Sequence, residues 1–367
     1  MKRRDFVTAS VTLALLSGSS ARAATKKPAP AKTPDPIRLP DEPLPQWRNY
    51  ELRSTITLSD ADGKARLWMP LAQYRDTPWQ RSFGHHWEGN FAAAGVYRDP
   101  LTDMEMFYAD WPEGVVAPRL EIVSRIATQD RQFDITRRGA ITERGEILRR
   151  CLEATTQVPI DGIVRQTAER AIGRIKDPLA RGKALYDWVV EKTTFDPRSS
   201  SRELNVARFL ESGQLAGGSI DLSLLFVGLC RSIGIPARPV FGLRIDRSRL
   251  FASLGAGGDL DFSQCCRAEF YSPGYSWVPV NPSDVRQAIL GESLGKSDPR
   301  LGVFKKLLFG FWEMNWIGLN AAQDVTLQGT SGETLPFLIG PVVETPAGRF
   351  DDPASGCFSY GVSVERT

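Results

Sequence analysis

Two adjacent cysteines, Cys265 and Cys266, open the run SQCCRAEFYSPGYSWVPVNP, two strand-like segments around an SPGY turn. Some forty residues earlier, Gly217 and Gly218 precede Ser219 and Asp221, and Leu222, Leu225, Phe226, Leu229 and Cys230 follow at helical spacing. Gly234 and Pro236 then supply a stop, and ARPVFGLRI resumes as a strand. Ser219 is therefore expected at or beside a helix N-terminus, where unpaired amides and the positive end of the helix dipole face its side chain. Such a position suits a cysteine nucleophile, because the dipole favours thiolate, and a following hairpin suits its histidine and acid. A free thiol titrates near 8.5 and can be drawn lower, whereas a serine hydroxyl stays protonated and needs an adjacent base. The only two histidines, His85 and His86, lie far upstream in the stretch FGHHWEGN, which reads as a loop.

The cysteine pair itself separates into two roles. Neighbours on a strand point to opposite faces, so Cys266 is expected in the core with Ala268 and Phe270, and Cys265 outward with Arg267 and Glu269. A disulfide between them would close a strained ring. Cys230 belongs to the buried helical stripe and reads as inert. Five cysteines (Cys151, Cys230, Cys265, Cys266 and Cys357) is an odd number, so at least one thiol is expected to stay free. Metal-ligand spacing is absent, and neither a metal nor a cofactor is expected.

The elements that must position these residues follow from composition and periodicity. At 367 residues, 42% hydrophobic and 24% charged, the chain is globular and long enough for two domains. Residues 1–23 carry Lys2, Arg3 and Arg4, an apolar run from Val11 to Leu16, and a small-residue site ending at Ala23, the pattern of a cleaved secretory signal. Arg3 and Arg4 followed by Asp5, Phe6 and Val7 suggest twin-arginine export of a folded protein to the periplasm; a general secretory signal is the alternative. Removing residues 1–23 takes Lys2, Arg3, Arg4, Arg22 and Asp5 from 46 basic and 43 acidic residues, leaving 42 of each. No basic block remains to suggest nucleic acid, and no later apolar run is long enough to span a membrane. Residues 24–46 hold seven prolines and read as an extended tether.

Alternating segments from Trp47 predict an antiparallel β domain over 47–138, and helical spacing takes over after Ile141, with Ile163, Ile172 and Ile175 among the apolar positions. The second domain is placed at 139–295, and 296–367 reads as a strand-rich extension packed on one of the two. Its Phe309, Phe311, Trp312 and Trp316 read as core rather than as a ligand platform.

The segments GGSIDLSLLFVGLCRSIGIPARPVFG and QCCRAEFYSPGYSWVPVNPSD resemble the transglutaminase-like superfamily of the papain-type fold. In that family a Cys two residues before an Asp opens the helix that runs into a GIPAR-like strand. A His begins the later strand, and a VPVDP-like segment carries the acid. The resemblance covers about residues 180–290 and implies an α+β protein, the β domain being followed by a transglutaminase-like domain. It puts Ser219 at the nucleophile position, Cys265 at the base position and Asn281 at the acid position. No member of the Cys, His and Asp set is present. Loss of a catalytic triad costs on the order of a millionfold in rate, about 8 kcal/mol.

The expectation is an exported pseudoenzyme that holds a peptide or cell-envelope partner in the former substrate cleft. The competing reading is a working thiol peptidase or acyl transferase acting on peptide or glutamine amides. It would require Cys265, exposed at a cleft, to act as the nucleophile, or His85 or His86 to fold over the cleft as the base.

Overall fold

A computed structural model describes residues 46–367, apart from 60–62, 135, 137, 140–141, 200, 257–263 and 332–333. The expected signal and the proline-rich tether up to residue 45 lie outside the described residues.

The first strands are β1 (Arg48–Leu58), β2 (Ala65–Pro70), β3 (Gln80–Gly89), β4 (Ala93–Asp99), β5 (Met104–Trp111) and β6 (Arg119–Thr128), followed by the short β7 (Arg131–Gln132). In β1, Tyr50, Leu52, Ile56 and Leu58 point inward at a period of two, the pattern of a strand with one face buried. FGHHWEGN is not a loop. His85 and His86 lie within β3, paired with Ser124 and Val123 of β6, and a bulge between Ser82 and His85 takes up Phe83 and Gly84. The polar, glycine-containing composition suggested a turn, but pairing with β6 overrides that local preference.

Helices dominate the next stretch: α1 (Gly145–Arg150), α2 (Gly162–Ile172) and α3 (Pro178–Lys192), then β8 (Thr194–Phe195), α4 (Val206–Glu211), β9 (Ala216–Gly217) and α5 (Ser219–Ser232). Because α2 stops at Ile172, Ile175 falls outside the buried stripe expected of it and is 37% exposed. Asp221, the third residue of α5, accepts the Gly218 N–H at 2.8 Å and so caps the helix start. At the other end Gly234 takes φ +80°, the left-handed geometry that ends a helix without a Cβ clash. Every side chain from Leu222 to Cys230 of α5 is buried, so this is the central helix.

Next come β10 (Ala237–Arg244), β11 (Gln264–Ser272), β12 (Ser276–Val280), α6 (Pro282–Gly291), α7 (Pro299–Leu307), β13 (Phe311–Trp312) and β14 (Trp316–Asn320). The sheet order is β12-β11-β10-β14, antiparallel throughout, with α5 packed on β10 and β11. Cys266, Ala268 and Phe270 of β11 join Leu222, Leu225 and Phe226 of α5 in the main core. The chain ends with β15 (Val342–Thr345), β16 (Gly348–Phe350) and β17 (Phe358–Arg366). These last strands build the sandwich: β17 pairs with β1 in the sheet β17-β1-β6-β3, and β15 pairs with β2 in the sheet β16-β15-β2-β5-β4. Ile56, Ile122 and Phe358 of one sheet meet Leu67, Phe107 and Trp111 of the other between them. The segment after residue 296 thus contributes to both regions, β14 to one sheet and β15–β17 to the sandwich.

Candidate active site

Packing of α5 on β11 places Ser219 against the start of that strand, where its Oγ accepts the backbone N–H of Cys266 at 3.2 Å. The helix N-terminus, the strand head and the partly exposed side chain of Ser219 are thus brought together. The other two expected positions, Cys265 and Asn281, are buried.

Cys265 is not exposed at a cleft. It is 4% exposed and packs with Trp79, Val240, Trp312 and Trp316. Its strand parity is as expected, on the face away from α5, but that face is covered. Trp79 and Trp316 stack with centroids 5.4 Å apart, and Trp312 meets Trp79 edge-on at 5.3 Å. Gly242, opposite Cys265 on β10, makes this closure possible: a Cβ there would sit 2.1 Å from the Ile317 carbonyl oxygen and 2.5 Å from the Trp316 ring. Burial pushes the Cys265 thiol up from its ordinary value, with Arg244 acting in the opposite sense. Cys266 is 1% exposed, and its thiol is also driven up by burial. Neither cysteine is presented as a thiolate nucleophile.

Asn281 is 1% exposed and serves as the N-cap of α6. Its Oδ1 accepts the Asp284 N–H at 3.1 Å and the Ser283 hydroxyl at 2.9 Å. The Asn281 side chain is thus held by its own helix.

Charge not foreseen from the sequence occupies the space beyond Cys265. Arg244 donates to Asp284 at 2.6 Å, to Gln287 at 3.0 Å and to the Leu254 carbonyl at 2.7 Å. Arg267 lies 3.8 Å from Asp284, donates to the Glu313 carbonyl and stacks over Trp316 with its guanidinium carbon 4.6 Å from the ring centroid. Burial pulls the Arg244 guanidinium down, but Asp284 more than offsets this and the net shift is upward. At Arg267 burial prevails and the shift is downward. Arg267 carried a sequence signal in sharing the strand parity of Cys265. Asp284 carried one in standing three residues after the N-cap, the position of a capping acid.

The histidines are elsewhere. His85 hydrogen-bonds Ser124 at 2.7 Å and Glu105 at 3.3 Å between the two sandwich sheets, and its side chain is 4% exposed. His86, its neighbour on β3, is exposed. Among the described residues neither makes a contact with Ser219, Cys265 or Asn281, and no group of side chains that could hold a metal ion occurs.

Beside Ser219 a groove of about 500 Å³ is lined by Ser199, Ile220, Gln264, Phe337, Ile339 and Tyr360. Ser199 donates to Asp221 at 2.5 Å, tying this wall to the start of α5. At the rim Arg202 pairs with Asp351 and lies 5.4 Å from the Phe337 ring centroid.

The sequence profile described as "Transglutaminase-like superfamily" matches residues 165–282, which span α5, the strand β11 and Asn281. An uncharacterized protein of Haemophilus influenzae is 31% identical over 300 residues, covering 76% of this chain and 80% of its own length. The chain belongs to the transglutaminase-like superfamily. A candidate cysteine protease from Cytophaga hutchinsonii shares the fold at TM-score 0.56 and 12% identity, the match covering 88% of this chain and 91% of that one. Within the matched residues of this transglutaminase-like protein, Ser219 opens α5, Cys265 lies on β11 and Asn281 caps α6. No helix among the described residues is long and apolar enough to cross a membrane.

Proposed function

We propose that this transglutaminase-like protein is an exported pseudoenzyme that binds a peptide segment of a cell-envelope partner in the groove beside Ser219. The observation that carries the reading is the environment of Ser219: its Oγ meets a backbone N–H, and no described basic side chain bonds it. A serine there has no route to an alkoxide, because activation needs an adjacent base. Burial of Cys265 beneath three indoles weighs against the thiol-enzyme alternative, and the location of His85 and His86 on β3 weighs against rescue by either ring.

The groove suits an extended peptide. Ile220, Phe337 and Ile339 offer an apolar floor, Gln264 and Ser199 offer polar groups, and Arg202 with Asp351 marks one edge. Export rests on residues 1–23, and the periplasm is the compartment this reading assigns.

Two measurements test the proposal. The purified protein is assayed for hydrolysis of a casein substrate and for amine incorporation, alongside the triple variant Ser219→Cys, Cys265→His, Asn281→Asp. No turnover by the native chain is expected, and turnover by the native chain would sink the pseudoenzyme reading. Binding to a peptide array is then compared between the native chain and Ile220→Trp, which fills the groove. Loss of the bound spots in the variant is expected; an unchanged pattern would move the binding site elsewhere.

A further inference from the structure

The floor of the groove beside Ser219 is apolar in composition but almost closed to solvent. Phe337 and Ile339 line it, yet they are 2 and 3% exposed. On its inner side the Phe337 ring stacks on the fully buried Phe241 of β10, with centroids 5.0 Å apart and planes 18° from parallel. From the solvent side comes Arg202, whose guanidinium carbon lies 5.4 Å from the Phe337 ring centroid. Arg202 stands in the single helical turn Ser201–Glu203, on one wall of the groove, and its guanidinium is held by Asp351 of the β16–β17 connection, on another. The two side chains are 33 and 27% exposed, so the pair sits at the rim with the ring beneath it. The backbone under Arg202 is pinned: the Gln157 side-chain amide donates to the Ser201 carbonyl at 2.6 Å and to the Arg202 carbonyl at 3.2 Å, and the Gln157 carbonyl accepts the Val206 N–H at 2.9 Å. On the other wall Asp352, next to Asp351, caps the turn Pro353–Ser355 by accepting the Ala354 N–H at 2.8 Å. Each wall is therefore set by its own hydrogen bonds, and the part that can move is the Arg202 side chain.

From this arrangement we infer that the Arg202–Asp351 pair is a removable cover. It closes an apolar subsite over Phe337, which opens when the Arg202 side chain swings away and then takes an aromatic side chain of the bound peptide. Such a cover is weak. A partly exposed ion pair and a cation–π contact near the surface are each small, and together they set a closed-to-open ratio of about five to thirty. A ligand that requires the open form binds more weakly by that same factor than it would to an uncovered groove. An incoming aromatic ring replaces the guanidinium on the exposed face of Phe337 with a ring–ring contact, so it recovers what opening costs. The peptide as ligand rests on the function proposed above, whereas the cover is read from the groove alone.

The test is fluorescence titration of the purified protein, of Arg202→Ala and of Asp351→Asn with N-phenyl-1-naphthylamine, an uncharged aromatic probe. Binding to Arg202→Ala is expected to be about fivefold to thirtyfold tighter than to the native chain. Asp351→Asn, which keeps the arginine but removes the carboxylate that holds it, should fall between the two. Raising the salt from about 50 to about 500 mM should tighten binding to the native chain more than to Arg202→Ala, because only the native chain has this ion pair to screen. A merely structural role for the pair would not produce that difference. Adding Ile220→Trp, which fills the groove, to Arg202→Ala should abolish the gain and so place the probe in this groove. No gain in Arg202→Ala, or a gain that survives Ile220→Trp, overturns the inference. The peptide array separates it from the proposed function: spots with aromatic residues that strengthen in Arg202→Ala support both, whereas a probe response without any bound peptide supports the cover and sinks the peptide reading.

Discussion

The thiols give the sharpest test of the pseudoenzyme proposal. Alkylation of Cys265 requires the cover of Trp79, Trp312 and Trp316 to move, since the residue is 4% exposed beneath them. An indole buries about 150–250 Å². At about 25 cal/mol per Å², exposing even one of the three costs about 4–6 kcal/mol. If reaction proceeds only from that opened state, its rate falls by a factor of about 10³ to 10⁴, at 1.36 kcal/mol per decade. The upward shift of the buried thiol slows it further, because the thiolate is the reacting species. Cys357 is the one cysteine not fully buried, whereas Cys151, Cys230, Cys265 and Cys266 are all buried. Iodoacetamide at neutral pH followed by peptide mass spectrometry should therefore modify Cys357 first and leave Cys265 in step with the other buried thiols. In guanidinium all five should react. Selective and early modification of Cys265 would refute this reasoning and restore the thiol-enzyme reading.

Three further outcomes follow from the same contacts. Asp284→Asn removes the carboxylate shared by the buried Arg244 and Arg267 and should destabilise the fold by about 3–5 kcal/mol, read as a lower denaturation midpoint with an unchanged slope. Gly242→Ala should be among the most damaging single-methyl changes, because its Cβ would meet the Ile317 carbonyl and the Trp316 ring; loss of the near-ultraviolet signal of the tryptophan cluster would report it, and an unchanged spectrum would refute the packing. For Glu269, burial pushes the carboxyl up, but Arg131 and Arg238 more than offset this, so its folded value lies below 4.5. The stability it contributes is then present above pH 4.5 and lost as pH falls through the lower folded value; Glu269→Gln should flatten that part of the stability profile.

How far the site was legible in the sequence depends on the range of the interactions that make it. The start of α5 is local: Gly218, Ser219 and Asp221 fix a helix N-terminus within four residues, and the Asp221 cap is the physical counterpart of that pattern. The separation of Cys265 from Cys266 is also local, since strand geometry alone puts them on opposite faces. What strand parity cannot supply is the content of each face. Cys265 is buried because Trp79 arrives from the connection before β3 and Trp316 from β14, the first nearly 190 residues before it and the second about 50 after it. His85 and His86 were misplaced for a similar reason, their glycine-containing stretch becoming a strand only through its pairing with β6.

Under the pseudoenzyme proposal, the same distinction separates two ways in which a catalytic site is lost. Replacement of the three chemical groups alone would leave an open cleft, and restoring the groups would then restore the chemistry. Here Cys265, the base position on that proposal, also lies under an indole cover and near the Arg244–Asp284 pair. An imidazole introduced by Cys265→His must enter that packed space, with an overpacking cost of about 1–3 kcal/mol, and lies near two buried guanidinium groups that disfavour its protonated form. A catalytic base must reach Ser219 and accept a proton there, so both effects act against it. The triple restoration is accordingly expected to remain well below a working family site, and adding Trp316→Ala, which removes one ring of the cover, should raise its turnover. Turnover by the triple variant that the fourth substitution fails to raise would show that the indoles do not obstruct the base, leaving the missing groups as the whole of the defect.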